Sequence, residues 1–583
     1  MPFTSEDQAS DSRGFRLLLL ALLVTTLAYL ATLRFGFVYD DEPQIVLNTT
    51  LTTWKTLPTL FLAHSWKFLL PDWAGNYYRP VFMTWLLLNR MIIGVNPVYW
   101  HATTVLLHLI ATAMAYVVAR QLMHNSVRAG FVALLFGLHP IHIETVAWVS
   151  GVTDSLMAIF AFAAFSAWIK AERSPGQVVL YRSVAAVMFA LACLTKETAL
   201  LLPIVIVTYD VLFAHDERTW AGVTRSTIRI WPLWAIAVAY MVARAFALRG
   251  LIHSGRVPLL YNVLTTPTIL WGYMRRLVWP VRMTVFYDTP PVTSMLQWRF
   301  WLPVLAWIVV LILAWRIAKR SRIFAISMVW IFVFLTPAIL GLPAFMIGEW
   351  VHDRYLYLPS FGFCLLLVHL ISQLPSRRDL FGLPAATTAI VLVIAAAMAF
   401  DTAWEQTYWA NGFLLFARGV NISPRSSWAK SHLGNELLRM GDRESAEKQY
   451  REALSIEPDN WKNNVAFGLL LYYTGQFKLA DEQLTKSIAL MPNDSNQYFY
   501  QGLSRFNLEN FTGAEDAFRK ALKVDSRRPR YHFWLGFALE KQGRIDEARN
   551  QFETELREHP DTDTLAADHL RKLSAPAPAA SKK

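Results

Sequence analysis

Cysteine is almost absent from this 583-residue chain: Cys193 and Cys364 are the only two, and both sit inside apolar runs. Two such residues build no disulfide framework and assign no redox compartment. Charge is scarce as well. Asp, Glu, Lys and Arg make up 17% of the residues, where a soluble domain carries about 25%. That excludes an ordinary water-soluble enzyme. The 54% hydrophobic content excludes disorder over most of the chain. Acidic residues are thinnest in the first part: residues 1–400 hold 18 Asp and Glu against 30 Lys and Arg, whereas 401–583 hold 25 of each. The net charge of +12 therefore lies entirely in the apolar part. Short basic loops between membrane helices produce that bias, so it does not point to nucleic acid, and no nucleic-acid partner is expected.

What the chain has in quantity is long apolar runs. Residues 17–33 are long enough to span a bilayer and are expected to be a retained first membrane helix. Further runs near 101–119, 129–149, 153–169, 178–194, 199–213, 230–247, 299–315, 323–342, 356–374 and 382–400 bring the expectation to about eleven spans, an all-α polytopic bundle. With the N-terminus inside, the inner loops collect Arg120 and Arg128, then Lys170, Arg173 and Arg182, then Arg218, Arg225 and Arg229. The cluster Arg316, Lys319, Arg320 and Arg322 follows, and last Arg377 and Arg378. This alternation holds only if residues 263–283 do not cross, so that stretch is expected as an amphipathic helix on the outer membrane surface. Everything after Phe400 is then outside.

The second part repeats with a period of 34. Gly434, Gly468, Gly502 and Gly536 share that spacing, as do Ala446, Ala480, Ala514 and Ala548. Tyr450, Leu484, Phe518 and Phe552 place a bulky residue four positions after each Ala. Gly441, Gly475 and Gly543 mark the turn inside a repeat, with Glu509 as the exception. This resembles the tetratricopeptide repeat, a helical hairpin that buries its apolar face only by stacking on neighbours. The expected organisation is a membrane domain over 1–400, a linker over 401–423, four repeats over 424–572, and a flexible tail over 573–583.

Ionisable groups beside the membrane are functional candidates, and the topology gathers them on one side. Asp40, Asp41 and Glu42 follow the first span; one of them could deprotonate a hydroxyl, or the triplet is a solvated loop start. His139, His142 and Glu144 lack a third ligand at a zinc spacing, which leaves helix-end packing or a hydrogen bond to substrate. Lys196 beside Glu197 is a phosphate-binding cation or a snorkelling pair. Arg79 and Arg354, the latter next to Tyr355, bind a lipid phosphate or anchor helices at the interface. Asp154 and Glu349 lie on the same side.

The strings FVYDDEPQIVLN (37–48), NYYRP (76–80), LFGLHPIHIETVAWVSGVTDSL (135–156), LTKE (194–197) and DRYLYLPSFGF (353–363) occur in this order before the repeat array. Together they resemble the transmembrane and tetratricopeptide repeat-containing O-mannosyltransferases and their bacterial relatives. The resemblance implies the C-type glycosyltransferase fold and a sugar, with mannose expected, carried on a polyprenyl phosphate at the outer or lumenal face. It implies that Asp40 and Asp41 are catalytic in an inverting displacement. Lys196, Arg354 and Arg79 would stabilise the leaving phosphate, while Glu42, His139, His142, Glu144, Asp154, Glu197 and Tyr355 would line the substrate site. Gly151-Val152-Thr153-Asp154 departs from the Gly-Arg-x-Asp expected in relatives, so that arginine's contact is missing. No cofactor beyond the donor is expected, and no metal is required. The expected partners are the bilayer and a protein or peptide acceptor held by the repeats. The expected location is a bacterial inner membrane, or the ER membrane in a eukaryote. Two other readings are a lipid or envelope-glycan acceptor, and a scaffold without catalysis.

Overall fold

The computed structural model describes every residue except 1–4, 69–75, 217, 251–256, 345–349, 376–377, 382, 561–563 and 575–583, and no side chain before Asp11. Glu349, Arg377 and most of the expected tail therefore lie outside the described residues. The described chain is helical throughout; one two-residue antiparallel pairing, Asp379–Leu380 with Leu383–Pro384, is its only sheet. It divides into two compact units, Met1–Arg418 and Gly419–Lys583.

In the first unit, ten helices are long and apolar enough to cross a membrane, eleven when one bent pair counts as a span. These are α1 (Asp11–Arg34), α3 (Pro97–Met123), the pair α4 (Ser126–Leu138) and α5 (Pro140–Val146), α6 (Val149–Arg173), α7 (Pro175–Thr195) and α8 (Glu197–Ala214). After them come α9 (Trp231–Leu248), α11 (Trp298–Ala318), α12 (Arg322–Ala344), α13 (Asp353–Ile371) and α14 (Ala385–Trp409). Each coincides with one of the eleven runs. The bend of 51° between α4 and α5 falls at Pro140, whose missing N–H and ring break a helix.

Shorter helices lie between these among the described residues, and two of them bear on the site. One is α2 (Pro80–Ile93), an apolar helix within the first long loop, too short to span, that the run length alone did not reveal. The other is α10 (Leu259–Val278), the amphipathic stretch. Its Arg276 is largely buried, stacking 3.6 Å from the Tyr287 ring centre and reaching Asp353 at 3.7 Å. One face of α10 is thus held by protein. The segment expected as a linker is also helical: α14 continues past Phe400, and α15 (Gly412–Ile422) follows.

The core of the first unit is aromatic. Phe162 stacks on Trp330 at 5.8 Å, and Phe361 meets the two rings edge-on at 62° and 61°. Helices α1 and α4 approach closely because Gly130 presents no side chain; a Cβ there would lie 2.6 Å from the Leu17 Cβ. Small residues at such crossings are how helices pack where lipid removes the hydrophobic drive.

The second unit stacks four hairpins: α16 (Ser427–Arg439) with α17 (Arg443–Ile456), α18 (Trp461–Tyr473) with α19 (Phe477–Leu490), α20 (Ser495–Asn507) with α21 (Phe511–Val524), and α22 (Tyr531–Lys541) with α23 (Ile545–Glu558). A last helix, α24 (Thr564–Ser574), packs through Ala566 on the final hairpin. The 34-residue period has a steric cause. A Cβ at Gly434 would meet the Tyr450 ring at 3.0 Å, one at Gly468 the Leu484 side chain at 3.0 Å, and one at Gly536 the Phe552 ring at 2.8 Å. Each repeat needs a hole for its own bulky residue.

Candidate active site

The loop after α1 turns at Tyr39, whose φ of +53° lies in the left-handed region, a conformation that costs a residue with a Cβ roughly 1–2 kcal/mol. Its ring is held between Trp148 and Phe286, at 5.6 and 5.9 Å between centroids. The two carboxylates that follow then part. Asp41 is fully buried; Oδ1 accepts the backbone N–H of Ser150 at 2.7 Å and Oδ2 that of Val38 at 3.2 Å. Burial pushes its carboxyl up to about 6, and the hydrogen bonds from Ser150 and Val38 only partly oppose this. Asp40 instead lines a cleft of about 90 Å³, shared with Arg79, Trp148, Gly151, Arg354 and Tyr355.

Three ion pairs frame this region. Arg79 donates from Nε and Nη2 to the two oxygens of Glu197, at 3.2 and 2.8 Å, which leaves Nη1 outside the pair. Lys196 Nζ donates to both oxygens of Asp154, at 2.7 and 2.6 Å, with both side chains buried. Arg354 pairs with Glu144 through its guanidinium, and its backbone N–H adds a bond to the same carboxylate at 3.0 Å. Each carboxylate comes from a different segment than its cation. The pairs therefore fix the cations in place, by charge-assisted bonds in a medium of low polarity.

A second cavity of about 340 Å³ adjoins the cleft, since Tyr77 and Tyr355 line both. Its wall is mostly apolar, including Met157, Met241, Phe334, Pro337 and Leu358, but Asp154, Lys196, Glu197 and Arg244 also face it. Arg244 sits on the membrane helix α9 and is largely buried. Its Nη2 donates to the Asn76 carbonyl at 2.8 Å, while its buried Nη1 has no hydrogen-bond partner among the described residues.

Of the residues singled out by sequence, Asp40, Arg79, Arg354 and Tyr355 meet in the cleft, and Asp154, Lys196, Glu197 and Tyr355 in the second cavity. Glu144 lies beneath Arg354, 3% exposed. Glu42 opens the short turn Glu42–Val46 and lines neither cavity. His139 and His142 do not line them either, against the expectation that they face substrate. Both are fully buried at the break before α5. His139 Nε2 is 3.0 Å from the Leu277 carbonyl, and His142 Nε2 is 2.7 Å from Ser360 Oγ. The break turns both rings into the packed interior, where His142 lies 4.3 Å from the Tyr357 ring. Among the described residues no group of three or more His, Cys, Asp or Glu could hold a metal ion. Arg244 is the residue sequence reasoning missed. Its signal was an arginine inside the apolar run 230–247, and an ionisable group at that depth is rare without a use.

The fold and cleft define a polytopic membrane protein with a carboxylate set among paired cations, joined to a tetratricopeptide array. Tetratricopeptide repeat patterns match residues 429–460 and 499–562. Similar curated proteins include a Caenorhabditis elegans protein O-mannosyl-transferase, 26% identical over 78% of this chain and 64% of its own. Protein O-mannosyl-transferase TMTC3 of Homo sapiens is 23% identical over 86% of this chain and 60% of its own. Protein O-mannosyl-transferase TMTC1 of Homo sapiens is 26% identical over 78% and 56%. The likeness to O-mannosyltransferases read from the motifs thus extends over most of the chain. The chain spans about three fifths of the length of the curated relatives it matches. Among solved structures, a crystal structure of MamA is similar at 18% identity with a TM-score of 0.25, over 28% of this chain and 91% of that one.

Proposed function

We propose that the chain is a membrane glycosyltransferase that moves a sugar, with mannose the first candidate, from a polyprenyl-phosphate donor to a hydroxyl of a protein acceptor. The observation that carries the reading is the pairing of the two cavities through Tyr77 and Tyr355. An apolar cavity with charged groups in its wall suits a lipid whose phosphate ends against Lys196 and Arg244. The unpartnered Nη1 of Arg244 is a donor in want of an anion. The small polar cleft beyond the two tyrosines suits one sugar and the acceptor hydroxyl.

In this reading the acceptor oxygen attacks the anomeric carbon, and its proton passes to the Asp40 carboxylate. The bond from the anomeric carbon to the phosphate oxygen breaks, and its electron pair leaves on the phosphate. Arg244, Lys196 and Arg354 offset the charge that develops there. Asp40 rather than Asp41 is the base because a base must reach the proton it takes, and both Asp41 oxygens already accept backbone N–H groups. The relatives are named as protein O-mannosyl-transferases, and the repeats offer a surface for a protein acceptor, which favours a protein hydroxyl. The site then lies on the outer or lumenal face, with the repeats on that side.

The test is release of lipid phosphate from a panel of polyprenyl-phosphate sugars by purified protein, mannose first, with envelope or microsomal extract as acceptor. Wild type should release it and Asp40→Asn should not. Equal release by both would overturn the reading, as would none from any donor.

A further inference from the structure

The helices that carry the cleft at one end meet a further cavity, of about 730 Å³, at the other. Helix α6 holds Asp154 near its start and Arg173 in its last turn, about 28 Å apart at 1.5 Å per residue, close to the thickness of a hydrocarbon core. Helix α13 likewise runs from Arg354 to His369. The cavity therefore faces the opposite membrane surface.

Four arginines, Arg128, Arg173, Arg320 and Arg322, line it against one carboxylate, Glu172. That carboxylate is already engaged, by Arg229 and by Arg182 at 3.3 Å. Arg322 pairs with Asp216 at 2.6 Å, and Arg173 donates to the Gln121 carbonyl at 2.7 Å. Arg128 and Arg320 have no carboxylate within ion-pair distance among the described residues. The Nε of Arg128 is buried without a hydrogen-bond partner. Arg128 is half-buried and leaves this one N–H unanswered; burial of an unanswered donor costs free energy until something accepts from it. The arginines also come from separate segments: the starts of α4 and α12, the end of α6, and the turn between α11 and α12. Part of the wall is apolar, with Tyr209 stacked on Phe213 at 5.5 Å.

We propose that this cavity is a binding site for a phosphate group, the phosphate supplying the counter-charge for the Arg128 and Arg320 guanidiniums that line it. The apolar flank suits the headgroup end of an anionic phospholipid; a free phosphate offers the same chemistry without the tails. The inference does not depend on the transferase reading.

The test uses full-length protein in detergent, with thermal unfolding and native mass spectrometry against phosphatidylglycerol, phosphatidylcholine and inorganic phosphate. Phosphatidylglycerol retained and stabilising, with inorganic phosphate inert, assigns a lipid headgroup. Stabilisation by both assigns the phosphate group itself. Either supports the site only if Arg320→Gln and Arg128→Gln each weaken binding by about fivefold, the worth of one basic residue near an anionic headgroup. Arg316→Gln, an exposed residue outside the cavity, should leave binding unchanged. Arg320 is exposed, so its variant reads binding even where Arg128→Gln fails to fold. Equal retention of phosphatidylcholine, no retention of either ligand, or an Arg316→Gln loss matching that of Arg320→Gln overturns the proposal.

Discussion

Asp41 and Ser150, 109 residues apart in the chain, are joined by a 2.7 Å hydrogen bond from the Ser150 backbone N–H to Oδ1. That bond ties the first loop to the start of α6 and separates Asp41 from its neighbour Asp40, which faces the cleft. Replacing Asp41 by Ala leaves two backbone N–H groups, of Ser150 and Val38, without acceptors. A buried unsatisfied donor costs about 1–3 kcal/mol, so Asp41→Ala should lower the unfolding temperature clearly. In the transfer assay Asp40→Asn should cost about 10²–10⁴-fold, the worth of a general base. A pair of variants with the reverse behaviour would exchange the two roles.

Asp41 also predicts a pH dependence. Its folded pKa of about 6 lies above the value of about 3.9 for an unfolded aspartate. Between these values the unfolded chain gives up its proton and the folded one keeps it, so stability falls as pH rises. The loss totals about 3 kcal/mol and is complete above pH 6. Asp41→Asn lacks this term. The stability of wild type relative to Asp41→Asn should therefore decrease from pH 4 to pH 6 and then level off. Thermal unfolding of both proteins in one detergent across that range would show it, and a constant difference would place the Asp41 pKa at its ordinary value.

In the repeats, Gly441, Gly475 and Gly543 hold the hairpin turn at φ of +85°, +78° and +78°, and Glu509 occupies the matching position at +59°. A Cβ in that region costs roughly 1–2 kcal/mol, partly returned by the greater unfolded entropy of glycine. Glu509→Gly should stabilise the repeats by about 0.5–1 kcal/mol. Differential scanning calorimetry of the full chain would register this as an upward shift of the repeat transition.

The repeat array was legible because its cause is local and recurrent: a glycine facing a large residue sixteen positions on, as Gly434 faces Tyr450. The eleven spans were legible because length and hydropathy follow from the bilayer alone. The site was legible only in part. Arg79, Arg354 and Lys196 stood out as cations beside apolar runs, but their partners Glu197, Glu144 and Asp154 are chosen by how the helices pack, and sequence spacing does not encode that. The divergence of Asp40 from Asp41 depends on the left-handed turn at Tyr39, which no composition rule assigns to an aromatic residue. For His139 and His142 the sequence left packing and substrate contact open, because a histidine near a helix end looks the same whether its ring faces substrate or, as here, Ser360 and a backbone carbonyl.

Lys196 and Asp154 give the last prediction, because their side chains are only 3% and 4% exposed and each is the other's counter-charge. Removing one member of a buried pair strands the other, at a cost of about 3–5 kcal/mol, whereas apolar replacement of both is often neutral. Lys196→Met should therefore destabilise the protein strongly, and Lys196→Met with Asp154→Leu should recover most of that loss. If Lys196 also meets the donor phosphate, the stable double variant will still release little lipid phosphate. Recovery of stability together with release would reduce the pair to packing, and a Lys196→Met protein as stable as wild type would mean that Asp154 is neutral when alone. The double variant thus separates holding the helices together from holding the leaving group, which the single variant cannot do.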